Sequence, residues 1–211
     1  VIDMEIFHKI QSNLSIYSPL LFFIVLFFRR KSDFLRIDKI VIIIISLSFF
    51  TDLFSYYVVE RNYIYLFIYT ILDTFLLLTL YNLILEKRKK LIISIILIFS
   101  IIVVIEFFYK DPFTNFFSIS LTIKCLIFII LSLLYFYQIY INEEDIFKRK
   151  APEFSYNVGL LIYFSLAFFP FFLSTELMSG LFDYSLWYVH NIGNIMKNII
   201  FAIGLWMVQK R

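Results

Sequence analysis

Asp52, Asp73, Lys124 and Lys197 stand deep inside long apolar runs. A charged side chain placed there costs about 2.5–3.5 kcal/mol on insertion scales, so such groups face other helices, find partners, or mark a ligand or proton pathway. At about 1.5 Å per residue they lie some 10–18 Å below the same end of their runs. Two acids and two bases at similar depth lead us to expect one or two buried ion pairs. The last run adds more polar groups. On a wheel of about 100° per residue, His190, Asn191, Asn194, Lys197 and Asn198 share a sector of roughly 120°. Ile195, Met196, Ile199 and Ile200 surround them. This describes an interior-facing helix whose polar side is either a hydrogen-bonded packing seam or the wall of a cavity for a small ligand or a proton.

Other runs carry matching stripes. Ser48, Thr51, Asp52 and Ser55 follow i, i+3, i+4, i+7 spacing, and Thr70, Asp73 and Thr74 repeat the pattern on the next run. Ser120, Lys124, Tyr135 and Gln138 fall within about 60° on a third. The expectation is that the polar face of the last run turns towards the second and third runs. Catalysis would need a nucleophile with its base, a metal set or paired carboxylates. Cys125 and His190 are the Cys/His pair available inside the runs, and no local motif surrounds either. Asp52 and Asp73 lack a glycine-containing aspartyl signature. We therefore expect no catalytic residues, no metal site and no cofactor.

The elements that must position these groups are seven apolar runs, 14–28, 40–59, 63–85, 91–109, 116–141, 154–175 and 186–208. A bilayer core needs about 20 apolar residues per helix, and cytoplasmic loops collect Lys and Arg. The connectors carry 5, 1, 4, 1, 3 and 0 basic residues in order, with 2 at the C-terminus. The expectation is an all-α polytopic membrane protein: one domain, 1–211, folded as a seven-transmembrane-helix serpentine bundle. Its N-terminus is outside and its C-terminus cytoplasmic.

A composition of 62% hydrophobic and 17% charged residues excludes an ordinary soluble domain. The net charge of +3 sits in clusters such as Arg29-Arg30-Lys31, Lys87–Lys90 and Lys148–Lys150, which topology explains without nucleic-acid binding. Asp3 and Glu5 before the first run, and the arginines after it, argue against a cleavable leader. A hairpin is expected at 60–62, a turn started by Asp111-Pro112 in 110–115, and a short surface helix in 142–153. Pro19 and Pro170 predict kinks. Gly159, Gly180, Gly193 and Gly204 form no small-xxx-small pair, so close glycine-mediated crossings are not expected.

Lys197 in the middle of the last run invites comparison with microbial rhodopsins, but Gly193 stands where those proteins carry an Asp, and a retinal protein is disfavoured. A transporter would show paired halves or broken helices, which are not evident. The final run, His190-Asn191-Ile192-Gly193-Asn194-Ile195-Met196-Lys197-Asn198 followed by an apolar tail, resembles the last helix of the seven-span membrane sensory regions of Bacteroidetes-type histidine kinases and their stand-alone relatives. The span count and the acidic stripes of runs two and three resemble them as well. The resemblance implies a non-enzymatic sensor or regulator of the bacterial inner membrane. With Gln209-Lys210-Arg211 closing the sequence, its output would pass through a partner chain, met at cytoplasmic loops or helix faces. The chain is also similar to stand-alone membrane accessory factors or effectors of bacterial defence systems, such as RNA-targeting CRISPR systems. An oligomeric pore goes with that alternative, because a small bundle can line a channel with the polar face of one helix, and a homo-oligomer is the matching partner expectation.

Overall fold

The computed structural model describes residues 2–28, 35–57, 63–85, 88–110, 116–142, 151–174 and 186–207, with side chains from residue 9 onward apart from Ala151. Every regular element in it is helical. In chain order these are α1 (Ile2–Tyr17), α2 (Pro19–Phe27), α3 (Arg36–Tyr57), α4 (Tyr63–Ile84), α5 (Lys89–Tyr109), α6 (Ser118–Ile141), α7 (Ala151–Phe172) and α8 (Leu186–Met207). The expected hairpin 60–62, the Asp-Pro turn at 111–112, the loop segment 143–150 and the basic cluster 29–31 lie outside the described residues.

Five of these helices are long and apolar enough to cross a membrane: Lys9–Phe27, Tyr63–Ile84, Lys89–Tyr109, Ser118–Ile141 and Pro152–Phe172. The protein is a helical membrane protein. Backbone polar groups in hydrocarbon must be satisfied within the segment, which is why such runs become helices. α8 is of similar length, but His190, three asparagines and Lys197 dilute its apolar residues.

The first run needs a correction. Helix begins at Ile2 rather than near residue 14, so most of the expected N-terminal extension is itself helical. The backbone stays helical through Ser18, whose N–H bonds the Leu14 carbonyl at 2.9 Å, and Pro19 opens α2 as its first residue. Proline is suited to that position because its missing N–H would have no partner in a first turn. At the other proline, α7 runs on as helix through Pro170.

Helices adjacent in sequence pack together from α3 to α8, and α8 also packs along α1 and α2, closing the bundle into a ring. Lipid tails are as apolar as leucine, so polar bonds and close fit must hold the ring together. The α1–α8 seam carries three side-chain hydrogen bonds. Gln11 Nε2 donates to the Tyr188 carbonyl at 3.1 Å, Asn194 Nδ2 to Ser15 Oγ at 3.0 Å, and Asn198 Nδ2 to Ser18 Oγ at 2.7 Å. Both sets of numbers rise together, so the first and last rods run parallel.

A second knot joins α4, α6 and α7. The Tyr81 hydroxyl donates to Asn157 Oδ1 at 2.8 Å and lies 2.6 Å from Ser132 Oγ, while Asn157 Nδ2 donates to the Ser132 carbonyl at 3.2 Å. At one end of the bundle, Asp38 accepts from the Leu35 backbone N–H at 3.0 Å, closing the first turn of α3, and from the Tyr156 hydroxyl of α7 at 2.8 Å. At the other end, Glu106 of α5 caps the start of α6. Its carboxylate accepts from the backbone N–H groups of Ile119 (3.1 Å) and Ser120 (2.7 Å) and from the Ser120 hydroxyl, with Lys110 Nζ 3.6 Å away. The first N–H groups of a helix have no intrahelical partner and favour an anion.

Glycine placement overturns a second expectation. A Cβ on Gly159 of α7 would come 2.8 Å from the Phe201 ring, and one on Gly204 of α8 would come 2.9 Å from Ser155 Cβ. Gly193 faces Leu166 Cβ at 3.2 Å. All three thus lie on the α7–α8 contact. Gly193 and Gly204 are 11 residues apart, about three turns, which returns to the same face. A search at four-residue spacing misses that pair.

Overpacking a close contact costs about 1–3 kcal/mol. Gly204→Leu is therefore expected to lower the melting temperature of the purified protein in detergent, whereas Ile203→Leu, on the exposed side of α8, should not. Equal melting temperatures for the two variants would show that the α7–α8 crossing does not depend on glycine.

Candidate functional site

α8 packs on α7 and on the first rod, leaving space between it and α3, α4 and α6. The result is a cavity of about 230 Å³. Its polar wall comes from the stripes seen in the sequence: Ser48, Thr51 and Asp52 of α3, Thr70 of α4, Lys124 of α6, and His190 and Asn194 of α8. Its remaining wall is aromatic, made by Tyr69 of α4, Phe116 before α6, Tyr163, Phe164 and Phe171 of α7, and Trp187 of α8, with Leu66 and Leu121 filling the gaps. A second cavity of about 330 Å³ adjoins it and is lined by Ser12, Ser15, Ile16, Ser55, Tyr56 and Asn191. Asp52, His190 and Asn194 line both spaces. The smaller space is an aromatic chamber and the larger a polar vestibule, with these three residues at their junction.

The buried charges divide unequally. Lys124 forms an ion pair with Asp73, joining α6 to α4, and both side chains are 6% exposed. The same ammonium lies 5.6 Å from the Tyr69 ring centroid and 5.9 Å from that of Phe164. Lys197 is buried and meets the Tyr163 ring, its ammonium 4.5 Å from the centroid, within electrostatic reach of Asp73 and Asp52. A desolvated cation on an aromatic face gains about 2 kcal/mol. Asp52 shares the cavity lining with Asn194 and feels Lys197 at a distance, but among the described residues no cation contacts its carboxylate.

His190 sits in an aromatic box. Its Nε2 is 3.1 Å from the Tyr163 hydroxyl, and its ring centroid is 5.2 Å from that of Phe171, 5.5 Å from Tyr163 and 6.0 Å from Trp187. The α3 side of the vestibule is braced by Tyr65. Its hydroxyl donates to the Thr51 carbonyl at 2.5 Å and lies 2.6 Å from Ser55 Oγ.

The candidate residues thus fall into three groups. Asp52, Lys124, His190 and Asn194 line the chamber, and Asn191 lines the vestibule alone. Asp73 and Lys197 lie behind the chamber wall as charge partners. Asn198 is spent on Ser18, in the seam with the first rod. The face of α8 therefore does not turn as a whole towards α3 and α4, as its sequence led us to expect. Its first half meets Asp52 across the cavity, and its asparagines also bond the first helix.

Sequence reasoning passed over the aromatic wall and over Ser15 and Ser18. With 28 Phe and 15 Tyr in the chain, no individual ring stands out. A serine at one-turn spacing from Gln11 was the available signal for the seam. Among the described residues no group of three or more His, Cys, Asp or Glu gathers at metal-binding range, and Cys125 is buried and unpaired. No protein-family model, curated protein or solved structure matches this chain significantly.

Removing one partner of a buried pair costs about 3–5 kcal/mol, while removing both can be nearly neutral. Asp73→Asn and Lys124→Met are each expected to lower stability in detergent by that order, and the double variant to recover part of the loss. Additive losses in the double-mutant cycle would mean that the two charges are not coupled.

Proposed function

We propose that this protein is a non-enzymatic sensor or regulator of a bacterial inner membrane that binds a small ligand in the aromatic chamber and acts through a partner chain. The observation that carries this reading is the chamber itself. Ligand sites are concave, mostly apolar and furnished with a few convergent polar groups, and here Asp52, His190 and Asn194 converge on an aromatic space. α8 is suited to report occupancy. It contributes Trp187, His190 and Asn194 to the chamber and runs on to the opposite end of the bundle, packed against α7 and the first rod. A ligand that favours one packing of α8 over another would shift that population by its difference in affinity.

The same reading uses seven spans, with α3 and α8 crossing alongside the five strongly apolar helices, the N-terminus outside and the basic connectors inside. Pro152 at the second position of α7 and the parallel run of the first and last rods support this arrangement. The likeness of the α8 sequence to the final helix of histidine-kinase sensory regions supports the functional class.

Two experiments test the proposal. With Cys125 replaced by Ala, single cysteines in 60–62, 110–115 and 176–185 are expected to label from outside the cell, and those at 87–90 only after permeabilisation. Outside labelling at 87–90 would overturn the orientation. For the ligand site, a thermal-shift screen of small aromatic and polar metabolites on the nanodisc-embedded protein should give compounds that raise the melting temperature and change Trp187 emission. Leu121→Phe, which narrows the chamber and adds no indole, should weaken both responses. A screen without such compounds, or hits indifferent to Leu121→Phe, would remove the chamber as the sensory site.

A further inference from the structure

We infer that the chamber selects a small arylalkyl amine, its ammonium held by Asp52 at the junction of chamber and vestibule and its aromatic body packed among Phe164, Phe171 and Trp187. This inference rests on the reading of the chamber as a ligand site and adds the chemical class. Size, charge and polarity each bear on it.

A dry apolar cavity of about 150 Å³ holds benzene. By proportion, the 230 Å³ chamber holds a molecule of about nine non-hydrogen atoms, the size of one aromatic ring with a short polar arm.

Of the two charged side chains lining the chamber, Lys124 is already neutralised by Asp73 in direct contact. Lys197 lines neither space, and its ammonium is seated on the Tyr163 ring. Asp52 is the charge that a ligand meets without an opposite charge in contact, among the described residues, and it is reachable from both sides. An anionic ligand would face Asp52 and would find Lys124 committed. A neutral one would leave the half-buried carboxylate without a charge partner beside an apolar body.

An ammonium has three N–H donors. Asp52 accepts from it, and the hydroxyl- and amide-lined vestibule of Ser15, Ser55, Asn191 and Asn194 offers acceptors or water for the rest. The aromatic wall adds cation–π attraction for an ammonium at its edge. The chamber is thus apolar where the ring would lie and acidic where the arm would end.

The test uses the full chain in nanodiscs, with Trp206→Phe so that Trp187 alone reports. Three probes of similar shape are titrated: 2-phenylethylamine, which is cationic, propylbenzene, which is neutral, and phenylacetate, which is anionic. Saturable binding of the amine at least about tenfold tighter than either other probe is expected, since hydrogen bonds to a charged group are stronger than those between neutral groups. Asp52→Asn should weaken the amine by about tenfold or more and leave propylbenzene unchanged. Leu66→Phe, which narrows the chamber and adds no indole, should weaken both. Equal binding of amine and propylbenzene, with no effect of Asp52→Asn, would retain the chamber as a ligand site and overturn the amine. Preference for phenylacetate would do the same. Failure of all three probes in protein shown to be folded would overturn this inference, and the metabolite screen would then decide whether the chamber takes any ligand.

Discussion

The ion pair between Asp73 and Lys124 governs how the other buried charges are arranged. An isolated charge among apolar helices is expensive, and breaking such a pair costs about 3–5 kcal/mol. Each interhelical hydrogen bond in a membrane protein contributes only about 0.6 kcal/mol on average. Stranding one charge of the pair would therefore cost more than losing all three bonds of the α1–α8 seam, although removing both charges can be nearly neutral. The pair fixes α4 against α6 and leaves Asp52 facing a cavity. Lys197 is stabilised by an aromatic face. The unequal division of four charges is what turns a polar seam into a chamber with one acidic corner.

The polar bonds elsewhere follow the same constraint. Tyr81, Ser132 and Asn157 satisfy one another, and Glu106 uses its charge on the open N–H groups of α6. Thr70, Thr74 and Thr122 donate to carbonyls four residues back on their own helices. Such local bonds satisfy a hydroxyl without tying helices together. Bonds that cross between helices hold the ring, and the local ones leave the faces of α4 and α6 smooth enough to pack.

Close packing complements these bonds on the opposite side of the cavity. The α7–α8 crossing is tight because Gly159, Gly193 and Gly204 carry no side chain. By drawing α8 onto α7, it leaves space between α8 and the α3–α4 pair. Tyr163, Phe164, Phe171 and Trp187 line that space without filling it. The chamber thus follows from small residues in one place and large rings in another.

The amino-acid sequence by itself determined the helical membrane class, because long apolar runs have one economical answer in lipid, and it marked Asp52, Asp73, Lys124 and the polar face of α8 as groups needing partners. It also placed Ser48, Thr51 and Asp52 on one stripe, since helical period is a local property. Tertiary structure alone decided which partner each group took. Lys124 chose Asp73, Asn194 and Asn198 reached Ser15 and Ser18, and the aromatic wall assembled from three helices and the segment before α6. Helix spacing and rotation set those choices, and they depend on side-chain contacts between segments as much as 180 residues apart, which no local pattern encodes.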